Sequence, residues 1–86
     1  MRIVLIAIVK NEENIIKRCI ESGKNILDGI CITDTGSTDN TIQVIENYAK
    51  DINVKYKVYK NKWKNFGDNR SLSFRNAQDF IKKQKW

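Results

Sequence analysis

Three apolar runs of strand length alternate with three amphipathic stripes of helical spacing along this 86-residue chain, and that alternation constrains the fold most. Residues 2–9, RIVLIAIV, hold a continuous apolar run, the pattern of a strand covered on both faces in a parallel sheet. Residues 11–22 then place Ile15, Ile16, Cys19 and Ile20 on one helical stripe. Asn11 suits the cap of that helix, Glu12 and Glu13 suit its first turn, and Gly23 suits its end. Residues 29–33, GICIT, are a second short strand. A polar loop, DTGSTDN, leads from it into a helix on which Ile42, Ile45 and Ala49 share a face. Residues 53–59, NVKYKVY, alternate apolar and basic positions like a half-exposed strand near a sheet edge. The loop KNKWKNFG then enters a third helix, capped by Asp68, with Leu72, Ala77, Phe80 and Ile81 facing inward.

The resulting order, β-α-β-α-β-α, predicts a three-layer, Rossmann-like α/β fold with a parallel sheet and right-handed crossovers. Ligands of such sheets gather at the carboxyl ends of the strands. Three polar clusters fall there: Val9 to Glu12, Thr33 to Ser37, and the loop around Trp63 and Phe66. Residues 1–86 read as a single domain, and one of this size has a marginal core.

The DTGS tetrapeptide at residues 34–37 also occurs in aspartic proteases, where two such loops share one proton between their carboxylates. That fold is almost wholly β and rich in glycine, whereas this chain has four glycines and three patterned helices. The helices argue the protease reading down. A carboxylate at a strand's carboxyl end can instead accept a hydrogen bond from a ribose hydroxyl or a base N–H. Gly36 permits a sharp turn, and Ser37, Thr38 or Asp39 can cap the next helix. A plain capped loop with no ligand is the competing reading of the same residues.

Charge narrows the partners. The net charge of +6 and pI near 9.5 favour anions, and the bases far outnumber the acids from Lys55 onward. Trp63, Tyr56 and Tyr59 interleave with lysines, as in a surface that stacks nucleic-acid bases, although a solvated lysine face is the commoner origin of such a pattern. Trp63 and Phe66 are expected to close the core at their loop, with stacking on a base as the alternative. No histidine is present, and Cys19 and Cys31 form no short clip, so a zinc site is disfavoured and two buried free thiols are expected. The seven-residue run IVLIAIV is too short for a membrane span and lacks a cleavage site after it. The expectation is a soluble, intracellular, cytoplasmic chain.

Taken together, AIVKNEENIIKRCIES, ITDTGSTDNTIQVIENY and WKNFGDNRSLSFRNAQDF resemble the N-terminal part of family 2 glycosyltransferases, which have a GT-A fold and use nucleotide sugars. The resemblance covers nearly the whole chain. It implies the N-terminal portion of a GT-A fold and a pocket for a nucleotide or nucleotide sugar, of UDP type. Ala7, Ile8, Val9, Asn11 and Glu12 are implied to line the base and ribose side. Asp34 is implied to contact the nucleoside, while Gly36, Ser37 and Asp39 match the family's turn. Asn69 and Arg70 fall near the diphosphate, where a guanidinium can bind phosphate oxygens in a bidentate manner.

The family's metal motif, Asp-x-Asp, occurs nowhere in these residues, and the chain ends at Lys85-Trp86, where the fourth strand is expected to begin. The expectation is a truncated GT-A-like domain that retains its nucleotide half and is inactive alone. Mn²⁺ or Mg²⁺ is expected only for a full-length member. A non-catalytic binding or assembly module is the alternative. Residues 2–9 are expected to form an exposed apolar edge and to drive homo-oligomer formation, directly or through exchange of the C-terminal helix.

Overall fold

A computed structural model describes residues 2–84 and contains the predicted alternation: β1 (Val4–Val9), α1 (Glu13–Gly23), β2 (Gly29–Asp34), α2 (Thr41–Asp51), β3 (Lys55–Lys60) and α3 (Phe66–Gln84). The strands are parallel in the order β1-β2-β3, with Val4 opposite Gly29 and Gly29 opposite Lys55. Side chains alternate across the sheet, so each face collects its own core. Leu5, Ala7 and Val9 join Ile30, Ile32 and Val58 beneath Ile16 and Ile20 of α1 and Ile45 and Ala49 of α2. Val4, Cys31 and Tyr59 meet Ala77 and Phe80 of α3 on the opposite face. The result is the expected three-layer, Rossmann-like arrangement. Lys85 and Trp86, where the fourth strand is expected to begin, lie outside the described residues.

The strand covered on both faces is β2, whose six residues are all buried, rather than β1. Only Val9 of β1 is fully buried, and Ile6 is 38 % exposed. The physical reason is position: β1 is at an edge of the sheet, while β2 has a strand on each side.

Capping differs from expectation in three places. Asn11 has φ 51° and precedes the helix, so Glu12 occupies the N-cap position of α1. Gly23 is the last helical residue, and its lack of a side chain lets Leu27 approach: a Cβ there would meet Leu27 Cγ at 3.1 Å. Helix α3 begins two residues before Asp68. Asn65 Oδ1 accepts the Asp68 N–H at 2.8 Å, and Asn65 Nδ2 donates to the Asp68 carboxylate at 3.1 Å. At the end of α2, Asn53 adopts φ 57°. The Val54 N–H bonds Ala49 O and the Asn53 N–H bonds Lys50 O, the paired bonds of a Schellman ending.

The inward stripes are also narrower than the periodicity suggests. Ile15, Cys19 and Ile81 are exposed, so of the two expected buried thiols only Cys31 is buried. Among the described residues no helix is long and apolar enough to cross a membrane.

Candidate functional site

The carboxyl rim of the sheet is assembled around Asp34, the last residue of the central strand. Its Oδ1 accepts the Gly36 and Ser37 N–H groups at 2.7 and 2.8 Å, closing a tight turn. Gly36 has φ 123°, a conformation open to glycine and strained for other residues, although nothing crowds its Cα. Asp34 is only 3 % exposed, and its Oδ2 is buried without a hydrogen-bond partner among the described residues.

Two fastenings tie this turn to the end of β1. Thr35 donates both its N–H and its hydroxyl to Val9 O, at 2.9 and 3.1 Å. Asn11 Oδ1 accepts the Thr38 and Asp39 N–H groups at 2.7 and 3.2 Å, while the Asn11 N–H donates to Ser37 Oγ at 2.9 Å. The left-handed backbone of Asn11 thus turns its amide toward the second loop instead of capping α1. Thr41, fully buried, extends the network. It accepts the Glu12 N–H at 3.0 Å and donates its hydroxyl to Asp39 Oδ1. That last bond holds the Asp39 carboxyl below its ordinary pKa of 3.8.

The third rim segment is pinned by Asn69, which is 1 % exposed. Its Oδ1 accepts the Lys64 and Asn65 N–H groups, at 2.8 and 3.2 Å, and its Nδ2 donates to Lys62 O. Asn69 therefore shapes the loop from within rather than presenting its amide at the rim. Asn76 links the same region to the sheet, donating to Thr33 Oγ1 and Asn61 Oδ1 at 3.0 Å each.

The sequence-derived residues divide among three adjoining clefts. Asp34, Gly36 and Ser37 line one of about 280 Å³ with Lys60, Asn61 and Lys62. Ile8, Val9 and Glu12 line a second of about 310 Å³ with Lys10, Thr35, Trp63 and Phe66. Ala7 and Arg70 line a third of about 390 Å³, between β1 and α3, with Ile6, Ser73 and Phe74. Asn11, Asp39 and Asn69 hold the loops that frame these clefts. A larger cleft, about 640 Å³, lies between the β3–α3 loop and α3, lined by Lys62, Lys64 and Arg75 among others, and shares Asn61 and Lys62 with the Asp34 cleft.

The aromatic residues do not follow the sequence expectation. Trp63 and Phe66 take no part in closing the core and stand at the rim, 46 % and 72 % exposed. Their signal in the sequence is weak but present: neither belongs to an apolar period, and lysines flank Trp63 on both sides. Tyr56 packs against the core, and Tyr59 donates its hydroxyl to Asp79 at 2.8 Å, so the two tyrosines form no exposed stacking row with Trp63. Burial, aided by that bond, pushes the Tyr59 phenol up to about 12.

The divalent metal implied for a full-length relative finds no ligand set among the described residues. Among the described residues no three His, Cys, Asp or Glu side chains converge.

Comparison with known proteins agrees with the fold. The family model described as glycosyl transferase family 2 matches residues 4–80. Over 54 residues the chain is 39 % identical to the SPbeta prophage-derived glycosyltransferase SunS of Bacillus subtilis (strain 168) and, equally, to glycosyltransferase SunS of Bacillus phage SPbeta. Each match covers 63 % of this chain but 13 % of the relative's length. No solved structure matches the chain.

Proposed function

The chain belongs to glycosyl transferase family 2, and on that premise we propose that residues 1–86 form the nucleotide-binding part of a hexosyltransferase that uses a nucleotide sugar, of UDP type. The observation that carries this reading is the half-satisfied Asp34 carboxylate. A buried acceptor without a donor is costly, and a ribose hydroxyl or base N–H entering the adjoining cleft would satisfy it. Gly36 and Ser37 shape the turn beside it, and Glu12 faces the neighbouring cleft along the end of β1. Arg70, an exposed residue of α3 on the cleft beside β1, is assigned the diphosphate oxygens. Asn11, Asp39 and Asn69 act as positioning residues.

Titration of the 86-residue chain with UDP, followed by amide NMR, tests this reading. The expected result is saturable shifts at Asp34, Gly36 and Glu12, weakened about tenfold by Asp34→Asn, since hydrogen bonds to charged groups are worth roughly 1.5–3 kcal/mol. Unchanged Asp34 and Gly36 amides at saturating UDP would sink it. These residues carry no Asp-x-Asp, so the same polypeptide is expected to bind UDP-glucose without transferring or hydrolysing it. Robust metal-dependent turnover by it would overturn that part. A non-catalytic assembly module would instead keep the fold and show no nucleotide shifts.

The reading extends to self-association through β1. Its outer edge has no partner strand among the described residues, and Val4–Val9 carries no charge. Ile6, Phe74 and Ile81, all exposed, are apolar residues of β1 and α3. Exposed apolar edges pair with other strands. Sedimentation is expected to show a dimer or larger species at high concentration, and a strictly monomeric profile would count against it.

A further inference from the structure

We infer that Trp63 and Phe66 form the platform on which the base of the bound nucleotide stacks, an assignment that rests on the nucleotide reading of the rim. The rings meet edge to face, with centroids 5.2 Å apart and planes at 87°, so each fixes the other's orientation. Their loop is held from inside by the buried Asn69, which bonds Lys62, Lys64 and Asn65 of the backbone. Two large aromatic side chains are thus held in place while remaining 46 % and 72 % exposed. That combination is not a core closure: Phe66 has most of its surface in solvent.

What faces the rings is chemically matched to a nucleotide. They share a cleft with Ile8, Lys10, Glu12 and Thr35, at about 310 Å³ within the range of small-ligand sites. A planar base has a π-face that any aromatic ring can cover. The Glu12 carboxylate offers an acceptor for hydroxyl or N–H groups, and Lys10 offers a cation for phosphate oxygens. Thr35 lies on both this cleft and the one containing Asp34, so one ligand can span the two. Aromatic platform, acceptor and cation together fit a nucleotide better than a bare sugar or a bare phosphate.

The experiment uses the 86-residue chain with Trp86→Phe, leaving Trp63 as its single indole. UDP and the base-free ribose 5-phosphate are titrated while Trp63 fluorescence and the Asp34 and Gly36 amides are followed. Stacking predicts that UDP perturbs Trp63 emission, and that Trp63→Ala weakens UDP about tenfold, the low end of base–aromatic stacking energies. Ribose 5-phosphate affinity is expected to stay within about twofold in the same variant, because no base is there to stack. Trp63→Tyr, which retains a ring, is expected to restore most of the UDP affinity and guards against a folding defect in the alanine variant. If UDP shifts the Asp34 and Gly36 amides but neither Trp63 emission nor the affinity of the alanine variant changes, the platform is wrong and the nucleotide reading survives. If UDP moves neither the amides nor the fluorescence, both fall together.

Discussion

Ile6, Cys31 and Lys57 occupy one row across the sheet, paired in register on the face that carries α3, yet they live in three different solvents. Cys31, in the centre, is 1 % exposed and packed against Ala77 and Phe80. Lys57, on the β3 edge, is exposed and lays its ammonium 5.7 Å from the centre of the Tyr59 ring. Ile6, on the β1 edge, is apolar and still 38 % exposed. The two edges are therefore built differently. Lys55, Lys57 and Lys60 guard β3 with charge, a common defence against unwanted strand pairing, while β1 has no charge between Val4 and Val9. If β1 is the joining edge, as proposed, this difference in charge is what separates it from β3.

Placing the same residue along this row gives the sharpest way to break the comparison. Cys31→Lys would force an ammonium into the inter-layer core, a penalty above about 4 kcal/mol and enough to unfold a domain this small in urea titrations. Ile6→Lys is expected to leave the urea midpoint nearly unchanged and to weaken self-association by on the order of a hundredfold in sedimentation, because like charges would face each other across the joined edges. An Ile6→Lys protein that still associates as the parent does would show that β1 is not the joining edge.

The two thiols test the same contrast between centre and surface at smaller scale. Burial, with the nearby Asp79 charge second, raises the Cys31 thiol to about 11. At pH 8 only about one Cys31 in a thousand is then thiolate, the form that reacts with alkylating reagents. Mass spectrometry after brief labelling should find Cys19, exposed on α1, modified and Cys31 untouched until denaturant is added. Equal labelling of both in the native protein would contradict the buried central strand.

The smallest expected effect lies in the rim clasp. Asp39 titrates below its ordinary 3.8 because the Thr41 hydroxyl bonds the ionised carboxylate. A depressed carboxylate pKa gives a contribution that is complete above the unfolded value and lost as pH falls through the folded one. The Thr38–Thr41 amide shifts should therefore change with pH about a midpoint below 3.8. In Asp39→Asn that acid-dependent change should disappear. A transition centred at or above the ordinary value in the parent would show that the Thr41 bond does not form in solution.

Part of the candidate site was legible because its residues announce their backbone needs. Asp34 ends an apolar strand, and Gly36 stands where the chain turns, so the sequence alone places the loop at the rim. The roles of Asn11 and Asn69 were not legible. Each looks like an exposed polar residue near a helix start, and each spends its side-chain amide on backbone groups of a loop: the second loop for Asn11, 27 and 28 residues away, and the third for Asn69. Local sequence carries no record of the distant partners of Asn11, and the Asn69 partners, though near in sequence, depend on a loop shape that no periodicity specifies. Trp63 and Phe66 depart from the sequence expectation for a related reason. An aromatic residue in a loop suggests core closure until the packing shows the core already filled from the strands and helices.

The order and type of the six elements were determined by the sequence itself, since hydrophobic periodicity and turn residues act over a few neighbouring positions. The apolar patterns of β1 and β2 are nearly alike, and nothing local in them says which strand is central. Burial of a strand depends on what lies beside it, and that is set by tertiary pairing. Only the assembled sheet decided that β2 is enclosed and β1 open. The same assembly buried one oxygen of Asp34 without a hydrogen-bond partner among the described residues.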